Sequence, residues 1–250
     1  MIELIESKEQ LEQWTKRDIY SIRVLSLLES YGTRYHFAMF YRQIIDGRIT
    51  AILSKLDNDV TLALDDGFDN AELLRFFCIT GHGNILCDPA FQIGARFEEG
   101  MIMKCDRKFD KKMQGAFIDE YPKLMDLYNF VDYGNNDFKA WYVDISHRIR
   151  HNTAKAYTLN VGDNIISSGI LSSIYDDYAV LSAVRTDDEF RRMGYGSSLV
   201  SHICSDVKNT VYIMRDMNLN EDFYKELGFE NIDIATCQQY ILFLLIHKKA

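Results

Sequence analysis

Two arginines run straight into two glycines at one point of the chain, and that is where chemistry first becomes legible. In "RRMGYGSS", Arg191 to Ser198, Gly194 and Gly196 follow a β-rich run and precede an amphipathic one. Glycine lets a backbone turn sharply and lets a ligand come close. The first turn of a helix leaves N–H groups unpaired and carries partial positive charge. Strand, arginines, glycines, helix is therefore the order of a phosphate cradle, with Arg191 and Arg192 as charged forks. A P-loop would need a lysine followed by a hydroxyl residue, and a dinucleotide fingerprint a third glycine where Leu199 stands. Further on, "NEDFYKELGF", Asn220 to Phe229, reads as a short helix capped by Gly228, with Tyr224 facing inward one turn earlier.

The elements that must hold these residues are repeated. Ile49 to Asp88 and Ile165 to Asp216 each read strand, acidic tight turn, strand, helix, strand, closing aspartate. The turns "LDND" and "YDDY" carry hairpin chemistry, and "VTLAL" and "YAVLSAV" are β-branched or aromatic at alternating positions. Helical apolar spacing joins Leu73, Leu74 and Phe77 in one half, and Leu199, Val200, Ile203 and Val207 in the other. The expected fold is α/β, a mixed and mostly antiparallel sheet with flanking helices, in two related units at 1–130 and 131–250. The charged stretch Arg107 to Phe117 reads as a linker. Ile118 to Val131 reads as a helix with Pro122 near its start, and Tyr133 to Phe138 as a turn. "KAWYVDISHRIRHN" fits helix or strand equally. The last segment, "IDIATCQQYILFLLI", reads as two strands broken at Gln238 and Gln239.

Composition narrows the function classes. The chain has 250 residues, is 47% hydrophobic and carries a net charge of −9. An acidic balance disfavours nucleic acid, whose phosphates need a basic face, and suits amines and other cations. No apolar run reaches the roughly 20 residues of a membrane span. "MIELIESKEQLEQW" is too charged for a secretory signal. Five cysteines, none in a CxxC pair, argue against a disulfide framework or zinc site and for a reducing cytoplasm. No histidine and cysteine spacing suggests a metal.

The cradle and its surroundings resemble the GNAT superfamily of acyl-CoA N-acyltransferases. Arg191, Gly194 and Gly196 fill the family's Arg/Gln-x-x-Gly-x-Gly/Ala loop, and Asn220 to Phe229 is similar to its N…Y-x-x-x-GF segment. The resemblance covers roughly residues 137 to 246. Two positions depart from the usual turn: Thr186 stands for valine and Asp188 for proline. The resemblance implies a tandem acyltransferase fold whose second unit is complete. It implies that backbone N–H groups of 191–197, Met193, Tyr195 and Ser197 among them, hold the CoA pyrophosphate. Backbone groups of Val184 and Thr186 would pair with the pantetheine arm between splayed strands, and Tyr224 would protonate the departing thiolate. The family's asparagine position is Met217 here, with Asn218 one residue on.

The implied activity is transfer of an acetyl group from acetyl-CoA to a primary amine by direct attack. The acceptor is a small molecule or a peptide, and a non-catalytic CoA-binding regulatory module is the rival class. Amine attack needs a proton acceptor. The candidates are Asp216 and His147, the latter paired with Asp144 three residues before it and flanked by solvated Arg148 and Arg150. His82 and His202 have less to recommend them. In the first half the cradle position reads "DDGFDNAELL", Asp65 to Leu74, where carboxylates would repel a phosphate. That half is expected to be a degenerate unit without CoA, forming one wall of the acceptor site.

Overall fold

The computed structural model describes residues 1–93, 96–108, 115–133, 137–217 and 219–239. In the first half lie β1 (Ile2–Leu4), α1 (Ile19–Tyr31), β2 (Ala38–Ile45), β3 (Arg48–Leu56), β4 (Asp59–Leu64), α2 (Asn70–Thr80), β5 (Asn84–Cys87) and β6 (Arg96–Cys105). The second half contains β7 (Phe117–Asp119), α3 (Leu124–Val131), α4 (Phe138–Arg150), β8 (Lys155–Val161), β9 (Asn164–Tyr175) and β10 (Tyr178–Thr186). It continues with α5 (Tyr195–Asp206), β11 (Val211–Asp216), α6 (Glu221–Glu226) and β12 (Glu230–Gln239).

The strands join in one 12-stranded sheet, ordered β1-β2-β3-β4-β5-β12-β6-β11-β10-β9-β8-β7. From its centre, the order outward is the same in both halves: β5 to β1 on one side, β11 to β7 on the other. Only β4–β5 and β10–β11 are parallel among the described pairs. The two central strands are exchanged. The first half's β6 pairs with β11, and the second half's β12 pairs with β5. Each half thus completes its sheet with the last strand of the other.

Alternation along the strands sorts the helices. α1 packs on Ile52, Ala63, Ile102, Val180 and Ala235. The alternate residues Ala51, Leu53 and Leu62 lie with Leu73 and Phe77 of α2. Met103 and Leu181 lie with Leu199, Val200 and Ile203 of α5. So α2 and α5, the helices that follow β4 and β10, share the face opposite α1.

The repeated turns form as expected. Asp57 has φ 52°, and Asp176 and Asp177 have φ 52° and 65°, left-handed values that tight hairpins need. One open reading is decided and other expectations are corrected. "KAWYVDISHRIR" is helix α4, started by Asp137, whose carboxylate accepts from Lys139 N, and seated on Ile145 against Leu127, Ala156 and Ile170. The helix expected from Ile118 begins only at Leu124, because Phe117–Asp119 pairs as a strand with Asn160–Thr158. β7 and α3 lie against β8, β9 and β10, so residues 117–131 pack with the second half. Gln238 and Gln239 do not break a strand: they pair with Ile85 and Asn84 on one side and Phe97 and Arg96 on the other. Tyr240 to Ile246, expected as a strand, and residues 109–114 of the linker lie outside the described residues.

Candidate functional site

The cleft arises where two parallel strands part. β10 pairs with β11 only over Ala179–Leu181 and Val211–Ile213. Beyond that, Arg185 and Thr186 stay on Ser168 and Ser167 of β9, while Met214–Asp216 stay on Ile102–Gly100 of β6. A bulge between Ser182 and Arg185, with Ala183 at φ 51°, bends β10 away from β11. Asp187 N donates to Ile166 O, and the Arg185 carbonyl accepts from Ser167 Oγ, so both face β9. Strand neighbours alternate, so the backbone groups of Val184 and Thr186 face the gap.

This cleft measures about 850 Å³. The structure brings Val184, Thr186, Arg191, Arg192, Gly194 and Tyr195 to its wall, with Gly196, Ser197 and Tyr224. At its far end α5 starts at Gly194, with φ 89° and no side-chain cap. A left-handed N-cap without a side chain leaves the first N–H groups of α5 open to an anion. Gly196 has a packing reason as well: a Cβ there would lie 2.7 Å from Thr186 Oγ1. Arg191 turns toward Asp188, Nη2 to Oδ1 2.7 Å, and its Nε donates to Thr186 O at 3.3 Å. Arg192 holds φ 62°, which aims its side chain from a bent loop.

Tyr224 is almost buried, between Phe223 and Phe229 at ring distances of 5.0 and 5.5 Å. Burial pushes its phenol up to about 12, with the Arg215 guanidinium opposing. The side chain is therefore neutral and keeps a proton to donate at ordinary pH.

Comparison with known proteins agrees with this geometry. Residues 167–239 match the family described as FR47-like protein. A Drosophila melanogaster protein of solved structure superposes with TM-score 0.67 at 12% identity, over 95% of this chain and 98% of that one. A GCN5-related N-acetyltransferase from Kribbella flavida does so with TM-score 0.59 at 13% identity, over 88% and 93%. A tandem GNAT protein from the clavulanic acid biosynthesis pathway gives TM-score 0.56 at 11% identity, over 96% and 98%. The chain has the fold of these N-acetyltransferase structures, and the family match lies in its second half. No curated protein matches it.

Within this GNAT fold the first half has the same parting of strands, and described residues occupy the space beyond it. β4 pairs with β5 over Val60–Leu62 and Ile85–Cys87, and there β5 ends. Phe91, 0% exposed, fills the space beyond and packs on Phe77. Gln238 of β12, also 0% exposed, closes it: its Nε2 donates to Phe91 O and its Oε1 accepts from Ile93 N at 2.8 Å. The start of α2 is occupied too. Asp69 accepts from Glu72 N at 3.0 Å, and Gln43 Oε1 accepts from Asp69 N at 2.9 Å.

The remaining candidates lie elsewhere. His147 lines a separate cavity of about 490 Å³ with Tyr31, His151 and Lys8. It stacks on Tyr31 at 4.5 Å and meets Ser30 O at 2.9 Å, while Asp144 takes the Tyr31 hydroxyl at 2.6 Å and Arg148 at 3.2 Å. The expected Asp144–His147 pair is thus two separate contacts. Arg148 is not solvated, because its guanidinium also donates to Ser172 O and Ser173 Oγ. Asp216 is exposed at the end of β11, Met193 points outward, and Asn218 lies outside the described residues. His82 bonds Gly83 O, and His202 meets Glu120 at 3.1 Å. Sequence reasoning missed Phe190, Leu219 and Phe223, which give the cleft its apolar walls, and Glu226, a carboxylate at its rim. Apolar residues in loops and short helices carry no spacing signal. Among the described residues no group of three or more His, Cys, Asp or Glu could hold a metal, and no helix is long and apolar enough to cross a membrane.

Proposed function

We propose that this protein transfers an acyl group, acetyl first of all, from CoA to a primary amine in the cleft lined by the end of β10, the start of α5 and α6. The observation that carries the reading is the uncapped, glycine-led start of α5 at one end of a cleft whose other end presents a neutral Tyr224. N–H groups of residues 194–197, with Arg191 and Arg192, would take the pyrophosphate. The backbone groups of Val184 and Thr186 would pair with the pantetheine arm as another strand would. On this reading Arg191 exchanges Asp188 for phosphate.

The amine attacks the thioester carbonyl and forms a C–N bond. The tetrahedral intermediate collapses, the C–S bond breaks and its electron pair goes to sulfur. A thiol with the reference value of about 8.5 is a stronger acid than a phenol near 12. Full proton transfer from Tyr224 to the thiolate is therefore uphill, and the hydroxyl serves best as a hydrogen-bond donor to the developing charge. The proton shed by the amine reaches the thiolate or solvent. Asp216, at the open end of β11, is the candidate acceptor for it; His147 sits in another cavity and is not part of this proposal. The first unit, which we take to end by Cys105 rather than at residue 130, contributes β6 as the neighbour of β11 and binds no CoA.

The test is release of CoA thiol from acetyl-CoA across a panel of amines, amino acids and lysine peptides. Turnover with at least one amine, and an N-acyl product by mass, is expected. CoA binding without transfer to any amine would leave a regulatory CoA-binding module instead.

A further inference from the structure

Arg215 has no part in the reading above, yet it is a buried cation near enough to Tyr224 for its charge to act on the phenol. It lies on β11, and its side chain is only 4% exposed. One nitrogen, Nη1, donates to three carbonyls of the turn that follows: Asp216 at 2.9 Å, Met217 at 2.8 Å and Leu219 at 3.4 Å. Nε meets Met103 Sδ at 3.3 Å. Nη2 lies 2.9 Å from Glu221 Oε2, off the hydrogen-bond direction, so that contact is ionic rather than a formed hydrogen bond. Glu221 is itself fixed by Lys225 at 2.6 Å and Asn231 at 2.9 Å, which with the guanidinium hold its carboxyl at about 2.

The helix this clamp adjoins cannot place itself. α6 has six residues, its N-cap Asn220 sits at φ 59°, and no side chain caps it. Helices of under about 12 residues are marginal without tertiary support. Its C-terminal end is fixed by Gly228 at φ 83°, where Gly228 N bonds Lys225 O and Phe229 N bonds Tyr224 O. Arg215 and Glu221 supply the other end. Three carbonyl oxygens converging on one point repel each other unless donors lie between them, and a guanidinium, with its fixed fork of donors, can serve them while its other nitrogen meets a carboxylate. Counted in the shared register, Cys87 corresponds to Ile213 and Pro89 to Arg215, so the first half has no arginine at the clamp position.

We propose that Arg215 is a positioning residue for the Tyr224 hydroxyl: by clamping the carbonyls of Asp216, Met217 and Leu219 together with Glu221, it holds α6 so that the phenol points at the sulfur of CoA. This rests on the acyl-transfer reading. Its positive charge also favours an anion there, because a buried guanidinium raises the local potential.

The test needs no acceptor amine. Calorimetry compares CoA with S-methyl-CoA, which has the same nucleotide and arm but no thiol to ionise or be stabilised. At a pH near the thiol's own value, about 8.5, the wild type should bind CoA at least ~5-fold more tightly than S-methyl-CoA, as a hydrogen bond to a charged sulfur predicts. Tyr224→Phe should remove most of that preference. Arg215→Lys should remove a similar part, and the double variant no more than either alone, because both act through one hydroxyl. A merely structural loss would weaken both ligands equally and leave their ratio intact, which would overturn the proposal. So would a double variant whose losses multiply. If Arg215→Lys does not fold, Glu221→Gln takes its place in the same cycle, since it loosens α6 from the exposed side. Failure of the wild type to bind either ligand overturns the acyl-transfer reading itself. Binding with no preference in the wild type leaves the CoA site standing and removes Tyr224 and Arg215 from the sulfur.

Discussion

The two halves share strand order, hairpin turns and helix placement, and they part company at one place. In the second half the gap beyond the parallel pair is lined by glycines, arginines and an uncapped helix start. In the first half the corresponding gap is packed with Phe91 and closed by Gln238, and the helix start is capped by Asp69. The connection differs as well: residues 65–69 lead from β4 to α2, whereas residues 187–194 lead from β10 to α5. A splayed pair of strands is thus a property of the fold, while a ligand site is a property of what the sequence puts in the splay. The exchange of β6 and β12 adds that neither half is complete alone.

The widest break in the comparison comes from reversing the cradle chemistry. Gly194→Asp adds a Cβ at φ 89° and a negative charge where the pyrophosphate would lie. CoA binding should fall below detection by calorimetry, while Gly67→Asp, at the corresponding turn of the first half, should leave it unchanged. Equal effects of the two would erase the distinction. Phe91→Ala comes next. Emptying a fully buried aromatic site costs about 3–5 kcal/mol, to be read from denaturant unfolding, with CoA affinity per folded molecule near wild type. If CoA then binds a second time, the plug alone separates the halves.

Tyr224→Phe keeps the ring and loses the donor. Turnover of acetyl-CoA with the best amine should fall at least ~10-fold with little change in the affinity for acetyl-CoA, which has no thiol to ionise, or in melting temperature. An unchanged rate makes Tyr224 a packing residue. The smallest effect expected is an absence of change. A phenol raised to about 12 stays protonated below that value and loses its donor only above it. Between about pH 7 and 10 no alkaline fall in rate should belong to Tyr224; one that disappears in Tyr224→Phe would show a lower value.

Much of this was readable in the chain. The repeat appears because hairpin turns such as "YDDY" and alternating strands are written locally, and the cradle because glycine and arginine have few other reasons to stand together before a helix. The exchanged strands were not readable. β6 carries "EEGM" at its start and β12 carries "CQQ" at its end, patterns that look like breaks. Partners on both sides supply what local propensity does not, so Gln238 is buried with its amide satisfied by Phe91 and Ile93. The surroundings of His147 were not readable for a related reason: helical spacing relates it to Asp144, but α1 supplies Tyr31, which contacts both. Arg215 gave no signal, because most of its partners are carbonyls, which every sequence has.

The central claim is that one half of a duplicated fold keeps a CoA site and the other has filled its own. Isothermal calorimetry of the intact chain with CoA tests it most directly. One site per chain, abolished by Gly194→Asp and untouched by Gly67→Asp, is the expected result. Two sites per chain, or one that survives Gly194→Asp, would contradict it.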